Sequence, residues 1–143
     1  MKPGPASPLA GCALVIVEDH ADTLEAMQTM LELEGAQAQG AGSVGEALAQ
    51  LDPRIPRTPP TAVLCDIELP GEDGYAFLAR LRALESRAGV PRCERIPVVA
   101  VTARTGTLQR ARALAAGFAD HLGKPVSAAR LVEAVRAVRR ARG

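Results

Sequence analysis

Five short apolar segments, each followed by a segment with helical periodicity, constrain the fold of this chain most strongly. They lie within residues 12–19, 36–42, 62–66, 98–103 and 119–125. In the stronger segments the apolar residues are continuous rather than alternating, as expected of strands whose two faces are both covered by helices. Regular alternation of strands and helices favours a parallel sheet. The sequence therefore predicts an α/β fold, with one doubly wound, five-stranded parallel sheet and helices on both faces.

Capping residues indicate where several of the helices begin. Asp22 or Thr23 can cap the first helix, and Ser43 can cap the second. Glu46 lies three residues after Ser43, the spacing of a capping box. Ser127 can cap the last helix. These positions set the expected boundaries of the strand–helix units.

Length and composition limit the classes of protein to which the chain can belong. Its 143 residues predict one domain over residues 11–143, after a proline-rich leader at residues 1–10 that is expected to be disordered. The net charge of +1 gives the whole molecule no bias toward nucleic acids or anionic membranes, so neither is expected as a partner. The sequence contains no apolar run of about 18 residues that could span a membrane and no signal peptide, and the expected compartment is the cytoplasm.

The three cysteines predict neither a disulfide framework nor a metal site. They form no C-x-x-C pair, and neither histidine lies at metal-ligand spacing from them. Cys12 and Cys65 lie in apolar segments, where a thiol is usually a small buried apolar group. Cys93 lies in a polar segment, and an exposed thiol is expected there.

Reactive side chains follow the predicted strands at the points where the strands end. Glu18 and Asp19 end the first strand, Asp66 the third, Thr102 the fourth and Lys124 the fifth. In open parallel sheets, ligands bind beyond the carboxyl ends of the strands. Three carboxylates brought together there favour a divalent cation such as Mg²⁺, and a hydroxyl and an ammonium can hold the oxygens of a phosphoryl group. Asp66 could then act as a nucleophile that forms an aspartyl phosphate.

Nucleotide binding is not predicted, because neither G-x-G-x-x-G nor a P-loop motif follows the first strand. Instead, four short motifs occur in order, each at a strand end. They read VED at residues 17–19, CDIELPGEDG at 65–74, AVTA at 100–103 and GKP at 123–125. With these motifs the chain resembles the receiver domain of response regulators in two-component signal transduction. The resemblance extends from residue 12 to about residue 140.

The resemblance implies a flavodoxin-like sheet with strand order 2-1-3-4-5. It implies that Asp66 is the phosphoacceptor and takes a phosphoryl group from the phosphohistidine of a sensor histidine kinase or from a phosphotransfer protein. Mg²⁺ would be held by Glu18, Asp19, Asp66 and the backbone carbonyl of Glu68. In this family the loop after the phosphoacceptor is sharp, which allows that carbonyl to turn back toward the metal.

The resemblance also implies that the chain is a signalling switch and not an enzyme, apart from catalysing its own phosphorylation and dephosphorylation. Thr102 and Lys124 would grip the phosphoryl oxygens. An unknown downstream protein would bind the fourth helix, fifth strand and fifth helix. The peptide bond between Lys124 and Pro125 is expected to be cis, as in the family. The chain would be a stand-alone receiver or a receiver cut from a hybrid kinase or longer regulator.

Three residues depart from the commonest pattern of the family. His121 occupies the position of a tyrosine or phenylalanine that moves inward when the site is phosphorylated. Glu68 lies two residues after Asp66, and Arg104 lies two residues after Thr102. We expect His121 to take part in the switch. We expect Glu68 and Arg104 to pair across the mouth of the site and tune how long the phosphoryl group survives.

Two alternatives remain open on the sequence. A haloacid-dehalogenase-like phosphatase also uses an aspartyl phosphate, Mg²⁺, a threonine and a lysine. Its motif order differs, because there the nucleophile comes first and the acidic pair last. A non-phosphorylated pseudo-receiver would act only as a binding module, and the presence of every expected site residue argues against it.

Overall fold

The computed structural model describes residues 7–142 and has the predicted architecture. The five parallel strands are β1 (Ala13–Val17), β2 (Gln37–Ala41), β3 (Ala62–Cys65), β4 (Val98–Thr102) and β5 (Asp120–Gly123). The helices between and after them are α1 (Ala21–Leu33), α2 (Val44–Leu51), α3 (Gly74–Arg87), α4 (Thr107–Ala116) and α5 (Ala128–Arg142). The strand order is β2-β1-β3-β4-β5, which confirms the predicted doubly wound, flavodoxin-like sheet.

Side chains of each central strand enter two separate cores, one on each face of the sheet. Leu14 and Ile16 of β1 belong to a buried cluster with α1 and α5, whereas Val15 and Val17 belong to a cluster with α2, α3 and α4. This explains why the strands are apolar throughout, since successive residues point to opposite faces and both faces are covered. Because the five strands are parallel, their carboxyl ends lie along one common edge of the sheet, where the candidate site lies.

Helix boundaries agree with the capping predictions at two of three helices. Ser43 Oγ accepts a hydrogen bond from Glu46 N at 3.1 Å, and Ser127 Oγ accepts one from Arg130 N at 3.1 Å. The carboxylate of Glu46 accepts from Gly42 N at 3.0 Å, one residue before the donor of a standard capping box.

The predicted cap of α1 is wrong. The helix already begins at Ala21, and its cap residue is His20, whose side chain makes no capping hydrogen bond. Asp22 lies in the first turn instead. There, its negative charge complements the positive end of the helix dipole.

Ordered structure begins before the predicted domain boundary. Residues 1–6 of the predicted leader lie outside the described residues, but residues 7–10 form a turn. Leu9 is fully buried in the core beneath α1 and α5, and its N–H donates to Glu34 O at 2.9 Å. The prediction of disorder is therefore wrong for residues 7–10, because one buried leucine anchors a segment whose composition suggests a flexible leader.

Other expectations for individual residues are confirmed. The bond between Lys124 and Pro125 is cis. Cys12 and Cys65 are buried, and Cys93 is exposed. Burial raises the pKa of the Cys65 thiol far above its ordinary value, so this group is inert. Among the described residues, no helix is both long and apolar enough to cross a membrane.

A buried carboxylate fastens α3 to the start of β4. Glu85 is fully buried on α3, where it accepts a hydrogen bond from Ile96 N at 2.7 Å. Arg82 Nη1 lies 2.6 Å from the other oxygen of the same carboxylate. Both oxygens are thus paired, as a buried carboxylate requires. This contact lies on the side of the sheet where the strands begin, away from the strand ends that carry the predicted site.

Close approach of the chain explains the glycine at the start of α3. Gly74 N donates to Ile67 O at 2.8 Å. A Cβ atom at Gly74 would lie 2.7 Å from the carbonyl oxygen of Asp66 and 2.8 Å from the Cα of Ile67. These are backbone atoms of the loop that follows β3, so any side chain at this position would push that loop away from the helix.

We therefore expect Gly74→Ala to lower the free energy of unfolding by about 1–3 kcal/mol, the usual cost of overpacking. Gly45→Ala is the matched control, because a Cβ at this position within α2 would meet no atom within 4 Å. Removing a glycine from a helix should raise stability by about 0.5–1 kcal/mol. Urea denaturation of both variants measures the difference. A Gly74→Ala protein as stable as the parent would contradict the steric argument.

Candidate functional site

The first two elements of the site are neighbours because of the strand order. β1 lies between β2 and β3 and is parallel to both. The strand order therefore reverses between β1 and β3, which is where ligands bind in such sheets. Val17 is in register with Cys65. The next residues, Glu18 and Asp66, therefore emerge side by side at the common edge, and both are almost completely buried.

Lys124 joins these two carboxylates. Its Nζ lies 2.9 Å from Asp66 Oδ2 and also contacts Glu18 Oε1. The lysine follows β5, at the far side of the sheet from β1, and its side chain is 19% exposed. One ammonium thus faces two acids across the edge of the sheet. The predicted convergence of Glu18, Asp66 and Lys124 is confirmed.

Burial and pairing shift the three pKa values in different ways. Burial raises the pKa of Asp66 above its ordinary value, and hydrogen bonds from Lys124 and the Glu68 N–H offset this only in part. Burial also acts to raise the pKa of Glu18, but hydrogen bonds from Lys124 and His20 outweigh it and the pKa is lowered. Burial acts to lower the pKa of Lys124, yet its two carboxylate partners raise it. The ammonium therefore stays charged, and Asp66 is the less stabilised of the two carboxylates.

Thr102 lies at the end of β4 and is fully buried. Its Oγ1 accepts a hydrogen bond from Arg104 N at 3.2 Å, and its carbonyl oxygen accepts one from Lys124 N at 2.9 Å. The residue is thereby linked to the loop that leads into α4 and to the end of β5. A movement of Thr102 would therefore move both of these segments.

The exposed rim of the site carries the predicted ion pair. Arg104 Nε lies 3.1 Å from Glu68 Oε1, with both side chains largely exposed. Glu68 N donates to Asp66 Oδ1 at 3.0 Å, so the same residue also orients the candidate phosphoacceptor. The predicted pairing of Glu68 with Arg104 is confirmed, and its effect on phosphoryl lifetime stays a prediction.

His121 is 7% exposed and lies in β5, in register with Ala100 of β4. Its ring Nε2 is buried and has no hydrogen-bond partner within residues 7–142. Its backbone is held on the α4 side by Arg110, whose Nη1 donates to the carbonyl oxygen at 3.0 Å. The ring thus occupies the interior, and its predicted part in the switch stays a prediction.

His20 is a site residue that the sequence patterns above do not predict. Its Nδ1 lies 3.3 Å from Glu18 Oε2 and 3.5 Å from Asp19 Oδ1. The side chain is 72% exposed. The available signal is adjacency, since His20 follows the acidic pair directly. Adjacency alone does not show that the ring turns back toward both acids.

The acidic pair fits a divalent cation. Asp19 Oδ1 is a buried oxygen that has no hydrogen-bond partner among the described residues. Such atoms are uncommon in folded proteins and need an explanation. Ligand atoms of Glu18, Asp19 and His20 lie within 4.8 Å of one another. Carboxylate oxygens are ligands that Mg²⁺ prefers, so a cation would supply the missing partner of Asp19.

Comparison with known proteins identifies the family. The family model of the response regulator receiver domain matches residues 14–136. A 14.6 kDa protein of Leptolyngbya boryana is 34% identical, over 89% of each chain. The sensory transduction protein RegX3 of Mycolicibacterium smegmatis is 33% identical over 90% of this chain and 50% of the relative. The transcriptional regulatory protein PrrA of Mycobacterium tuberculosis is 32% identical over 91% of this chain and 51% of the relative. This chain therefore spans about half the length of the two named regulators.

Solved structures agree with this assignment. A CheY-like receiver domain from Methylobacillus flagellatus is 28% identical, with a TM-score of 0.70 over 89% of this chain and 98% of that chain. The receiver domain of a signal transduction histidine kinase from Syntrophus aciditrophicus is 26% identical, with a TM-score of 0.72 over 91% of each chain. The strand order of the sheet, the acidic residues at its carboxyl ends and the family match all agree. The chain belongs to the response regulator receiver domain family.

Proposed function

We propose that this receiver domain is a phosphoacceptor switch, in which Asp66 takes a phosphoryl group from a phosphohistidine. The observation that carries the proposal is the position of Asp66 at the end of a central strand, with Lys124 Nζ 2.9 Å from its carboxylate. An Asp66 oxygen would attack phosphorus as the bond from phosphorus to the donor imidazole breaks. Such a transfer requires mainly positioning and neutralisation of charge, which these residues can supply.

Mg²⁺ would be held by Glu18, Asp19, Asp66 and the backbone carbonyl of Glu68. When bound, the ion would neutralise charge on the phosphoryl oxygens. The buried Asp19 Oδ1, which has no hydrogen bond among the described residues, supports this assignment. Glu18 Oε1 is engaged by Lys124, so Glu18 would offer its other oxygen, Oε2.

Lys124 and Thr102 would hold the phosphoryl group after transfer. The Lys124 ammonium already contacts Asp66 and would remain beside the new charge. The Thr102 hydroxyl would donate to a phosphoryl oxygen, and its present hydrogen bond from Arg104 N at 3.2 Å would then change. Because Arg104 lies in the loop that leads into α4, phosphorylation would move that loop. The ring of His121 is already buried in β5 beside this region and would stay in its inward position.

The partners follow from this chemistry. A sensor histidine kinase or a phosphotransfer protein would supply the phosphoryl group. A downstream protein would bind the surface formed by α4, β5 and α5. Two apolar side chains of α4 support this surface, because Leu108 is 72% exposed and Leu114 is 39% exposed. We propose the cytoplasm as the compartment of this receiver domain.

The phosphatase alternative is not supported by the family match, because receiver domains act as signalling switches rather than as enzymes with separate substrates. The pseudo-receiver alternative differs from the proposed switch in one measurable property, the uptake of a phosphoryl group.

We expect incubation with acetyl phosphate and Mg²⁺ to add one phosphoryl group, seen by intact mass. Asp66→Asn should abolish uptake because it removes the nucleophile. Asp73→Asn is the matched control in the same loop, because Asp73 only caps α3 through a hydrogen bond from Ala76 N at 2.9 Å. An asparagine can cap equally well. Unchanged uptake by Asp66→Asn would reject the proposal, and no uptake by the parent chain would favour the pseudo-receiver.

The metal assignment is tested by thermal stability. Mg²⁺ should raise the melting temperature of the parent chain, since a ligand that binds the folded state stabilises it. Asp19→Asn should reduce this rise because the variant loses a carboxylate ligand. Without Mg²⁺ it should be no less stable than the parent, because within residues 7–142 Asp19 Oδ1 has no hydrogen bond to lose. Asp22→Asn, at an exposed position of α1, should respond as the parent does. An equal response of Asp19→Asn and the parent would exclude Asp19 as a ligand.

The ion pair of Glu68 with Arg104 is expected to affect kinetics rather than folding. Exposed pairs of this kind contribute only about 0–1 kcal/mol to stability. The pair spans the mouth of the site and would slow the approach of water to the phosphoryl group. The half-life of the phosphoprotein should fall in Glu68→Ala, in Arg104→Ala and in the double variant. Coupling requires that the logarithms of the rate changes are not additive, and additive changes would refute it.

A further inference from the structure

The imidazole of His20 gives the metal site a ligand of a different chemical kind. Its Nδ1 faces both members of the acidic pair, 3.3 Å from Glu18 Oε2 and 3.5 Å from Asp19 Oδ1. Mg²⁺ prefers oxygen ligands, whereas imidazole nitrogen suits Zn²⁺, Co²⁺ and related ions. The three side chains therefore form a set with one nitrogen and two oxygens, which are typical ligands of zinc.

The two separations from the His20 nitrogen agree with a tetrahedral ion, and the two carboxylate oxygens lie within 4.8 Å of each other. Ligand atoms about 2.1 Å from a tetrahedral zinc ion are about 3.4 Å from one another. Ligand atoms about 2.05 Å from an octahedral magnesium ion are only about 2.9 Å from their neighbours. The observed 3.3 and 3.5 Å lie on either side of the tetrahedral value. His20 is thus placed to share a tetrahedral ion with the two carboxylates.

The three ligand atoms are also available. Glu18 uses Oε1 for Lys124. Its Oε2 accepts a hydrogen bond from His20 N at 3.2 Å and still has a second lone pair for an ion. Asp19 Oδ1 has no hydrogen-bond partner among residues 7–142. His20 is the cap residue of α1, but its side chain makes no capping bond and is 72% exposed. An ion could therefore enter from solvent, with water as its fourth ligand. The imidazole proton would reside on Nε2.

We infer that Glu18, Asp19 and His20 bind a zinc-class divalent ion, and that this ion competes with Mg²⁺ for the two shared carboxylates. The competition rests on the proposed function, because it assumes that Mg²⁺ uses the same pair. Zinc held by the triad would occupy both carboxylates that Mg²⁺ needs, with the His20 imidazole in place of Asp66 as the third protein ligand. A zinc-class ion would thereby inhibit phosphorylation of Asp66.

The test is calorimetric titration of untagged protein with Zn²⁺ and, separately, with Mg²⁺. Both are done in a Cys93→Ser background, which removes the exposed thiol as a competing zinc ligand. His20→Asn removes the imidazole and provides a favourable helix cap, so folding is not at risk. We expect His20→Asn to weaken Zn²⁺ binding at least tenfold and to change Mg²⁺ binding less than twofold. Zn²⁺ binding that is equal in both proteins, or an equal loss for both ions, would overturn the inference.

A second measurement separates this inference from the proposed function. Asp66→Asn should keep Zn²⁺ binding within about threefold of the parent, because Asp66 is not one of the three ligands, although its phosphorylation is lost. In the parent, Zn²⁺ added at constant Mg²⁺ should slow phosphoryl uptake from acetyl phosphate, and His20→Asn should relieve the inhibition. If uptake never occurs, the proposed function fails while the zinc titration still decides whether the triad binds metal. If zinc inhibits both proteins equally, His20 is not the ligand responsible.

Discussion

The contact of the Lys124 ammonium with two buried carboxylates is the interaction on which the site depends. Glu18 and Asp66 emerge from neighbouring strands, and two adjacent buried charges of one sign would oppose each other and be disfavoured by desolvation. Lys124 offsets both effects, so the edge of the sheet can hold two acids without loss of the fold. The same contact keeps the ammonium beside Asp66, where a phosphoryl group would need it. Stability of the site and readiness for the proposed reaction thus have one cause.

Most of the site can be predicted from the sequence because residues at the carboxyl ends of parallel strands all lie along one edge of the sheet, where ligands bind. Asp66 follows a continuous apolar strand, Thr102 ends another and Lys124 follows β5, and the strand order brings these ends together. The position of His20 against the acids could not be predicted, since it depends on the rotamer of one exposed ring. The burial of Leu9 could not be predicted either, because one leucine in a proline-rich segment gives no periodicity.

Charged residues inside helical patterns show a second limit of prediction. Glu85 lies on a helix with many charged residues, and the sequence does not distinguish it from a solvated one. Only the path of the chain before β4 places Ile96 N 2.7 Å from a carboxylate oxygen of Glu85, to which it donates a hydrogen bond. The predicted cap of α1 was wrong for a related reason. Asp22 and Thr23 both have suitable side chains, and the direction in which the chain leaves β1 decides that the helix begins at Ala21.

The two ends of the sheet differ in how completely their buried polar groups are paired. Near the start of β4, the Glu85 carboxylate has a partner for each oxygen. At the site end, Asp19 Oδ1 and His121 Nε2 are buried without hydrogen bonds among the described residues. Unpaired buried polar atoms each cost roughly 1–3 kcal/mol, so they reduce stability where they occur. A cation at Asp19, or movement of the His121 ring, would recover part of this free energy. Of the three buried side-chain atoms without a hydrogen bond among residues 7–142, Gln50 Oε1 lies on α2, whereas the other two lie where ligand binding and conformational change are proposed. Both processes would be favoured by the pairing they restore.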